Sequence, residues 1–358
     1  MSITSELVLS ALQDVVDPEI GVGLVQKGLI DDITVKDSTV ELTLLSPVFV
    51  HPALEGIKSE IETKVNALEG VENVVMNTKV SIPKDSRLKD VGSSKIKNLI
   101  AIASGKGGVG KSTVAVSVAT LLSKMGAKVG LMDADVYGPN IPMMMGVEKL
   151  PAQKGDGGIL PAEAHGVKMI SIGFMVRPGQ PIVWRGPMLH SAIQQFLTDV
   201  HWGELDYLVV DLPPGTGDVQ LSLAQTISIT GGVIVTLPQL VSLDDARRGL
   251  EMFRSMEIPL IGVVENMSYL ELPNGEKMDI FGTGGGESMA EAADVEFLGG
   301  IPMDPAVREG GDSGKPIVVS KPDSPVTAAL EEITVKIALR ASKLALSAET
   351  ESISISLE

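Results

Sequence analysis

The sequence predicts an α/β protein: a mostly parallel sheet with helices on both faces, preceded by a small α+β domain. Three observations predict it. Apolar strand-like runs alternate with helical patterns from about residue 98 to 300, the alternation that builds a parallel sheet with covered faces. A glycine-rich loop, Gly105 to Gly110, lies between an apolar run and a helical pattern. Two further apolar runs end on acids, Asp133 and Asp211, at the strand ends where open α/β sheets bind ligands.

In chain order, residues 1–82 form the small domain. Ser5 can cap a helix whose apolar face is Leu7, Val8, Ala11, Leu12 and Val15. Pro18 lies just beyond and cannot continue it. Strands are expected over 32–36 and 39–45, turning at Asp37-Ser38. A helix over 52–67 carries Leu54, Ile57, Ile61 and Val65 on one face, and 71–82 reads as another strand. His51 is expected as a loop or helix-start residue, because metal sites need several ligands together. Residues 83–97 are polar and read as the interdomain linker. The larger domain runs over 98–346, and a polar tail over 347–358 is expected to be disordered.

In the larger domain an apolar run from Ile100 leads into Gly105-Lys106-Gly107-Gly108-Val109-Gly110-Lys111-Ser112-Thr113. Gly105, Gly110, Lys111 and Ser112 fit the phosphate-loop spacing G-x-x-x-x-G-K-S/T. The helix that follows has Val114, Val118, Leu121 and Leu122 on one face and ends near Gly126, a natural C′ residue. Bare glycines let backbone N–H groups approach a phosphate, and the helix N-terminus adds partial positive charge there. Lys111 is placed for the β- and γ-phosphates of ATP, and the Ser112 hydroxyl for Mg²⁺. Gly105, Gly107 and Gly110 also fit the dinucleotide pattern G-x-G-x-x-G, with Asp133 near the place of a ribose-binding acid. The Lys-Ser-Thr at the helix start and the second acidic strand end at Asp211 decide for the phosphate loop.

Residues 128–133 read as the next strand, which ends in Asp133-Ala134-Asp135. Those two carboxylates are suited to Mg²⁺ through water and to positioning an attacking water. The strand over 207–212 contains Asp211, in the place of an acid that supports Mg²⁺ through water or through Ser112. The stiff turn Pro213-Pro214-Gly215 behind it can sense a γ-phosphate, as switch loops do. Further strands are expected over 167–172, 232–237, 260–265 and 295–299. Helices are expected over 188–200, over 242–257 with a Ser242/Asp245 capping box, and from Ser324-Pro325 onward. Arg185 reads equally as a phosphate or partner contact and as a surface ion-pair residue. The glycine run from Phe281 to Glu287 lacks a Lys and a preceding strand, and reads as a flexible loop.

The chain has 358 residues, enough for two domains, and 44% of them are apolar, ordinary for a globular protein. A net charge of −17 and the lack of a basic stripe argue against a nucleic-acid partner. There is no cysteine, so disulfides and thiolate metal sites within the chain are excluded. The first residues lack the basic and apolar regions of a signal peptide, and no stretch has the apolar length of a membrane span. A cytoplasmic protein with no membrane partner is expected.

These residues resemble the Mrp/ApbC family of iron–sulfur cluster carrier ATPases, of the MinD/ParA branch of P-loop NTPases with a deviant phosphate loop. The resemblance rests on Gly105 to Thr113, Asp133-Ala-Asp135-Val-Tyr-Gly-Pro139, Trp184-Arg-Gly-Pro187, Asp211 to Asp218 and Glu265-Asn-Met-Ser-Tyr269. The small domain resembles the metal–sulfur cluster biogenesis family through Asp17-Pro18-Glu19-Ile20, Gly28-Leu29-Ile30 and the turn at Ser46-Pro47. The resemblance implies a Mg²⁺-dependent ATPase acting as a nucleotide-gated homodimer, with client apo-proteins or iron–sulfur assembly factors as partners. It implies that Lys106 reaches the partner subunit's nucleotide, that Asp135 orients the attacking water and that Asn266 bonds adenine. Cluster-carrying members usually have a Cys-x-x-Cys pair shortly after Asn-Met-Ser-Tyr. Here Leu270 to Glu276 stands in that place, so an iron–sulfur cluster has no Cys ligand in this chain.

Two other functions fit less of the sequence. One is a nucleotide-gated adaptor that binds proteins and carries no cluster. The other is a MinD-like positioning ATPase, which would end in a basic amphipathic membrane helix, whereas this chain ends acidic and polar.

Overall fold

The computed structural model describes residues 3–90, 94–151, 158–175, 186–217, 220, 228–272 and 274–355, with backbone only at 186–187 and 349–355. The chain forms two compact units, Met1–Lys84 together with the chain from Ala338 onward, and Asp85–Ile337.

The first unit opens with helix α1 (Ser5–Ala11). Its cap is Thr4, one residue before the expected Ser5, because the Thr4 hydroxyl accepts from the Leu7 N–H at 3.2 Å. Strands β1 (Val16–Asp17) and β2 (Val22–Gly23) form a short antiparallel ribbon. Strands β3 (Ile30–Lys36), β4 (Thr39–Ser46) and β5 (Asn73–Val80) form a sheet in that order. Helix α2 (Leu54–Asn66) is the crossover that lets β4 and β5 run parallel. Its Ile57, Ile61 and Val65 bury against Val8, Leu12 and Leu42. His51 is buried too. Its Nε2 lies 2.8 Å from Asp17 Oδ2, and Asp17 Oδ1 accepts from the N–H groups of Glu19 and Ile20.

The second unit is built on a nine-stranded sheet of the described residues. Its strands are β6 (Lys95–Ala103), β7 (Val129–Asp133), β8 (Ala162–Ala164), β9 (Val167–Ser171), β10 (Glu204–Asp211), β11 (Gly231–Thr236), β12 (Leu260–Glu271), β13 (Lys277–Met278) and β14 (Phe297–Met303). The order is β13-β12-β11-β6-β10-β7-β9-β8, with β14 also on β12. All neighbours are parallel except the short edge strands β8 and β13. The helices of this unit are α3 (Lys111–Lys124), α4 (Ile141–Met144), α5 (Gly186–Thr198), α6 (Leu240–Ser255), α7 (Gly285–Ala292), α8 (Pro305–Asp312), α9 (Ile317–Ser320) and, as far as Ile337, α10 (Pro325–Ile355). Parallel strands covered on both faces read as unbroken apolar runs, and Ile100 to Ala103 and Tyr207 to Val210 are each wholly buried. Parallel pairing also brings the carboxyl ends together: Asp211 sits level with Ile102 on one side and Asp133 on the other. Gly126, at φ +111°, ends α3 as expected, and the Ser324 hydroxyl accepts from the Thr327 N–H to cap α10.

Several expectations are corrected. The stretch 83–97 is not a plain linker. Asp85 is buried, its N–H donates to the Lys97 carbonyl, and Arg87 bridges the Asp85 carboxylate at 2.7 Å to the Thr230 carbonyl at 3.1 Å. The tail from 347 continues α10 to Ile355. Helix α6 starts at Leu240, so Ser242 and Asp245 lie inside it. The Ser242 hydroxyl is buried without a partner among the described residues, and Asp245 pairs with Arg248. Strand β12 runs past Glu265 to Glu271 and pairs with β13, making a hairpin of the segment after Tyr269. The last strand is Phe297–Met303 rather than 295–299. No helix among the described residues is long and apolar enough to cross a membrane.

Candidate functional site

The site grows from the carboxyl ends of β6, β7 and β10. The chain leaves β6 through Ser104, whose hydroxyl donates to the Lys106 carbonyl at 2.9 Å. It then passes over the glycine loop into α3. Gly108 and Gly110 have φ of +82° and +86°, where an L side chain is strained. A Cβ on Gly105 would lie 2.1 Å from the Asp245 backbone, so the loop packs directly on α6. A Cβ on Gly110 would lie 2.1 Å from Asn266 Nδ2. Asn266, on β12, donates to the Val109 carbonyl at 2.8 Å.

At the start of α3, Lys111 is only 5% exposed, and its Nζ lies 2.7 Å from Asp211 Oδ1 and 3.2 Å from Asp135 Oδ2. The Ser112 hydroxyl donates to Asp211 Oδ2 at 2.6 Å. Burial pulls the Lys111 ammonium down, but Asp211 and Asp135 outweigh it and hold the group above its ordinary value, so it stays charged. Asp133, fully buried, is pushed up to about 8 by burial and by the Asp211 charge. It is also turned away from the loop. It accepts from the Ser171 hydroxyl at 2.8 Å and from the N–H groups of Asp135 and Ile141. The sequence paired Asp133 and Asp135 as two site acids. The structure brings only Asp135 to Lys111 and makes Asp133 the anchor of the strand-end turn.

Lys106 is half-buried and makes no ion pair among the described residues. The Gly215 N–H donates to the Ser104 carbonyl at 2.9 Å, which ties the Pro-Pro-Gly turn to the root of the phosphate loop. Beside the loop lies a cavity of about 700 Å³ with Gly110, Thr113, Met143, Met144, Asn266 and Met303 among its walls. A slot with apolar walls and a few polar groups, Asn140 and Asn266 among them, suits a planar base. Ser171, Met143 and Met144 were not singled out from the sequence. A Ser alone carries no signal, and Met is an ordinary core residue. Arg185, Trp184 and Asp218 lie outside the described residues.

The residues fit a magnesium nucleotide. A hydroxyl and carboxylates are the hard oxygen donors Mg²⁺ takes, and the glycines leave the backbone bare where a phosphate would lie. Among the described residues no group of three His, Cys, Asp or Glu is placed to hold a metal by itself. The second glycine run leads into the short helix α7, and the Gly286 N–H in its first turn donates to the buried Glu265 carboxylate at 2.6 Å.

The chain matches the family model of the NUBPL iron-transfer P-loop NTPases over residues 95–338, and that of an iron–sulfur cluster assembly protein over residues 5–76. It is 48% identical over 352 residues to an iron–sulfur cluster carrier protein of Synechocystis sp., covering 96% of this chain and 99% of that one. It is 43% identical over 305 residues to the protein of that name from Escherichia coli (strain K12), covering 84% and 83%. Among solved structures it is similar to a nucleotide-binding protein from Archaeoglobus fulgidus in complex with ADP, at 38% identity and a TM-score of 0.56, covering 65% of this chain and 91% of that one. The cell division ATPase MinD of Pyrococcus furiosus shares the fold at 22% identity and a TM-score of 0.51, covering 67% and 98%.

Proposed function

The chain belongs to the NUBPL-type iron-transfer P-loop NTPase family, and from that premise we propose that it is a Mg²⁺-dependent ATPase that carries iron–sulfur clusters as a nucleotide-gated homodimer. The observation that carries the ATPase reading is the convergence of Lys111, Ser112, Asp135 and Asp211 at one strand edge within 2.6 to 3.2 Å. Phosphoryl transfer needs a cation for the β/γ-phosphates, a hydroxyl and acid for the metal, and a group to orient water.

In this reading the loop from Gly105 to Thr113 wraps the phosphates and Lys111 contacts the β/γ pair. Ser112 and Asp211 hold Mg²⁺, and Asn266 faces adenine. Held there, Mg²⁺ would supply positive charge against the phosphates during transfer. Asp135 orients a water whose oxygen bonds to the γ-phosphorus as the bond from that phosphorus to the ADP oxygen breaks. One proton leaves to phosphate or solvent. Purified protein should release phosphate from ATP with Mg²⁺ and not in excess EDTA. Release no greater than that of Lys111→Ala protein would sink the reading.

The homodimer draws support from the surface next to the loop. Tyr137, Leu240 and Val241 are 70%, 80% and 69% exposed. Tyr137 follows Asp135, and Leu240 and Val241 open the helix on which Gly105 packs. Apolar side chains there fit a second copy of this face. We assign Lys106 to the partner's nucleotide. Mixing inactive Lys106→Ala with inactive Asp135→Ala protein should restore part of the activity, since one site of each mixed dimer then has both groups. No rescue despite proven subunit exchange counts against the trans role.

The cluster is cargo, and this chain offers it no thiolate. Clusters are held by Cys, with His in rarer types. We infer that a small thiol or the client supplies sulfur ligands. Anaerobic reconstitution, desalting and iron and sulfide assays should find no stoichiometric cluster on the protein alone. The missing Cys also favours a second reading, an adaptor that binds apo-proteins and carries nothing. ATP-dependent speeding of cluster delivery to an apo-client separates the carrier from it. The compartment we assign is the cytoplasm, where an ATP pool is at hand.

A further inference from the structure

Glu265 is a buried carboxylate next to the site with no part in the chemistry above. It is 3% exposed, at the point where β12 leaves its pairing with β11. It accepts from the Ser268 hydroxyl at 2.8 Å and from the Gly286 N–H at 2.6 Å, in the first turn of α7. A carboxylate is favoured at a helix start, where the unpaired N–H groups carry partial positive charge. The glycines make this contact possible. A Cβ on Gly286 would lie 2.9 Å from Glu265 Cβ and 3.0 Å from Oε2, and one on Gly285 would lie 2.6 Å from the Pro238 carbonyl. The run that the sequence left as a loop is therefore a close-packing surface for one side chain.

The turn that Glu265 closes is strained and local. Met267 has φ +54°, a region that non-glycine residues rarely hold unless the surroundings fix them. Ser268 folds back so that its hydroxyl reaches both the Glu265 carboxylate and the Glu265 carbonyl. The pairing of β12 with β14 shifts register between Asn266 and Leu270, so the strand is interrupted there. Between the two gripped residues stands Asn266, whose Nδ2 donates to the Val109 carbonyl.

That bond orients more than a carbonyl. A peptide unit is planar and trans, so the C=O of Val109 and the N–H of Gly110 lie in one plane and point in opposite directions. Fixing the carbonyl on Asn266 fixes the direction of the Gly110 N–H, one of the donors a phosphate loop presents. We propose that Glu265, gripped by the Gly284–Gly286 turn, is a positioning residue for the phosphate loop and acts through Asn266. The proposal rests on the ATPase reading. It adds a positioning role for Glu265 and a purpose for the second glycine run.

The test compares wild type with Glu265→Ala, Glu265→Gln and Gly286→Ala. The last pushes a methyl group against Glu265 and leaves its carboxylate in place. ATP hydrolysis is measured against ATP concentration, ADP affinity and adenosine affinity are measured by calorimetry, and stability by urea unfolding. A preorganised donor lost from the phosphate cradle should raise KM for ATP and weaken ADP about tenfold in Glu265→Ala and Gly286→Ala, with kcat within about twofold. Glu265→Gln, which keeps the shape and one acceptor, should recover most of the loss. Adenosine, which has no phosphate, should lose less affinity than ADP in every variant. A merely structural role would lower the urea midpoint and leave KM and ADP affinity unchanged, and that result overturns the proposal. If Glu265→Ala fails to fold, the same comparison of Gly286→Ala and Glu265→Gln decides. Wild-type protein that neither binds nor hydrolyses ATP would sink the function reading instead, before any variant is compared.

Discussion

Two glycine runs lead into helices in the second unit, and they end in opposite ways. At α7 the protein meets the helix start with its own buried carboxylate, Glu265, and no lysine is present in the run. At α3 no side chain caps the helix among the described residues, and the helix opens on a buried, charged Lys111 held by Asp211 and Asp135. The first arrangement spends the positive helix end on an internal contact. The second leaves its backbone donors without a side-chain cap and matches its cation with two acids. Glycine content is shared by both runs, so it does not distinguish a phosphate cradle from a packing surface. The charge facing the helix start does.

The sharpest way to break the contrast is at Lys111. Lys111→Ala should cut ATP turnover by about 10²–10³-fold or more, since phosphoryl transfer depends on such preorganised charge. Near-wild-type phosphate release would leave the first run no better qualified than the second. Asp135→Asn comes next. It keeps the shape and weakens the acceptor, so turnover should fall about a hundredfold while ATP affinity stays within a few fold. Equal losses in binding and turnover would make Asp135 a binding group. Paired glycine changes sharpen the contrast in stability. Gly105→Ala drives a methyl group into the Asp245 backbone and should cost about 1–3 kcal/mol in urea unfolding. Gly284→Ala meets nothing within 4 Å, and only its φ of +66° opposes it, for about 1 kcal/mol. The reverse order would show that the first loop yields where its packing says it cannot.

A separate test concerns pH in EDTA. Asp133 titrates near 8 in the folded protein and near 3.8 unfolded. Between those values the folded state binds more protons, so this group's contribution to stability falls as pH rises, by on the order of 1 kcal/mol per unit. Asp133→Asn should flatten the urea-midpoint profile between pH 5 and 8 by about that much. An unchanged slope would mean that Asp133 is ionised in the folded protein.

The sequence by itself determined the sheet class, the phosphate loop and the acidic strand ends. Each is written in a local signal: period, glycine spacing, or a charge closing an apolar run. It also carried the family, through motifs from Gly105 to Tyr269. Only the tertiary structure decided which acid meets Lys111. Asp133 and Asp135 are two residues apart and look equivalent in sequence, but Ser171, from a neighbouring strand, turns one of them away. It decided that Asn266 grips Val109 from 157 residues away, and that Glu265 fills the second helix start. It decided that Asp85 belongs to the second unit and that the acidic tail continues a helix. The division has one physical reason. Backbone preference and periodicity act over a few residues and can be read along the chain. The partner of a buried polar group is set by which strands the sheet brings together, and that pairing crosses the sequence.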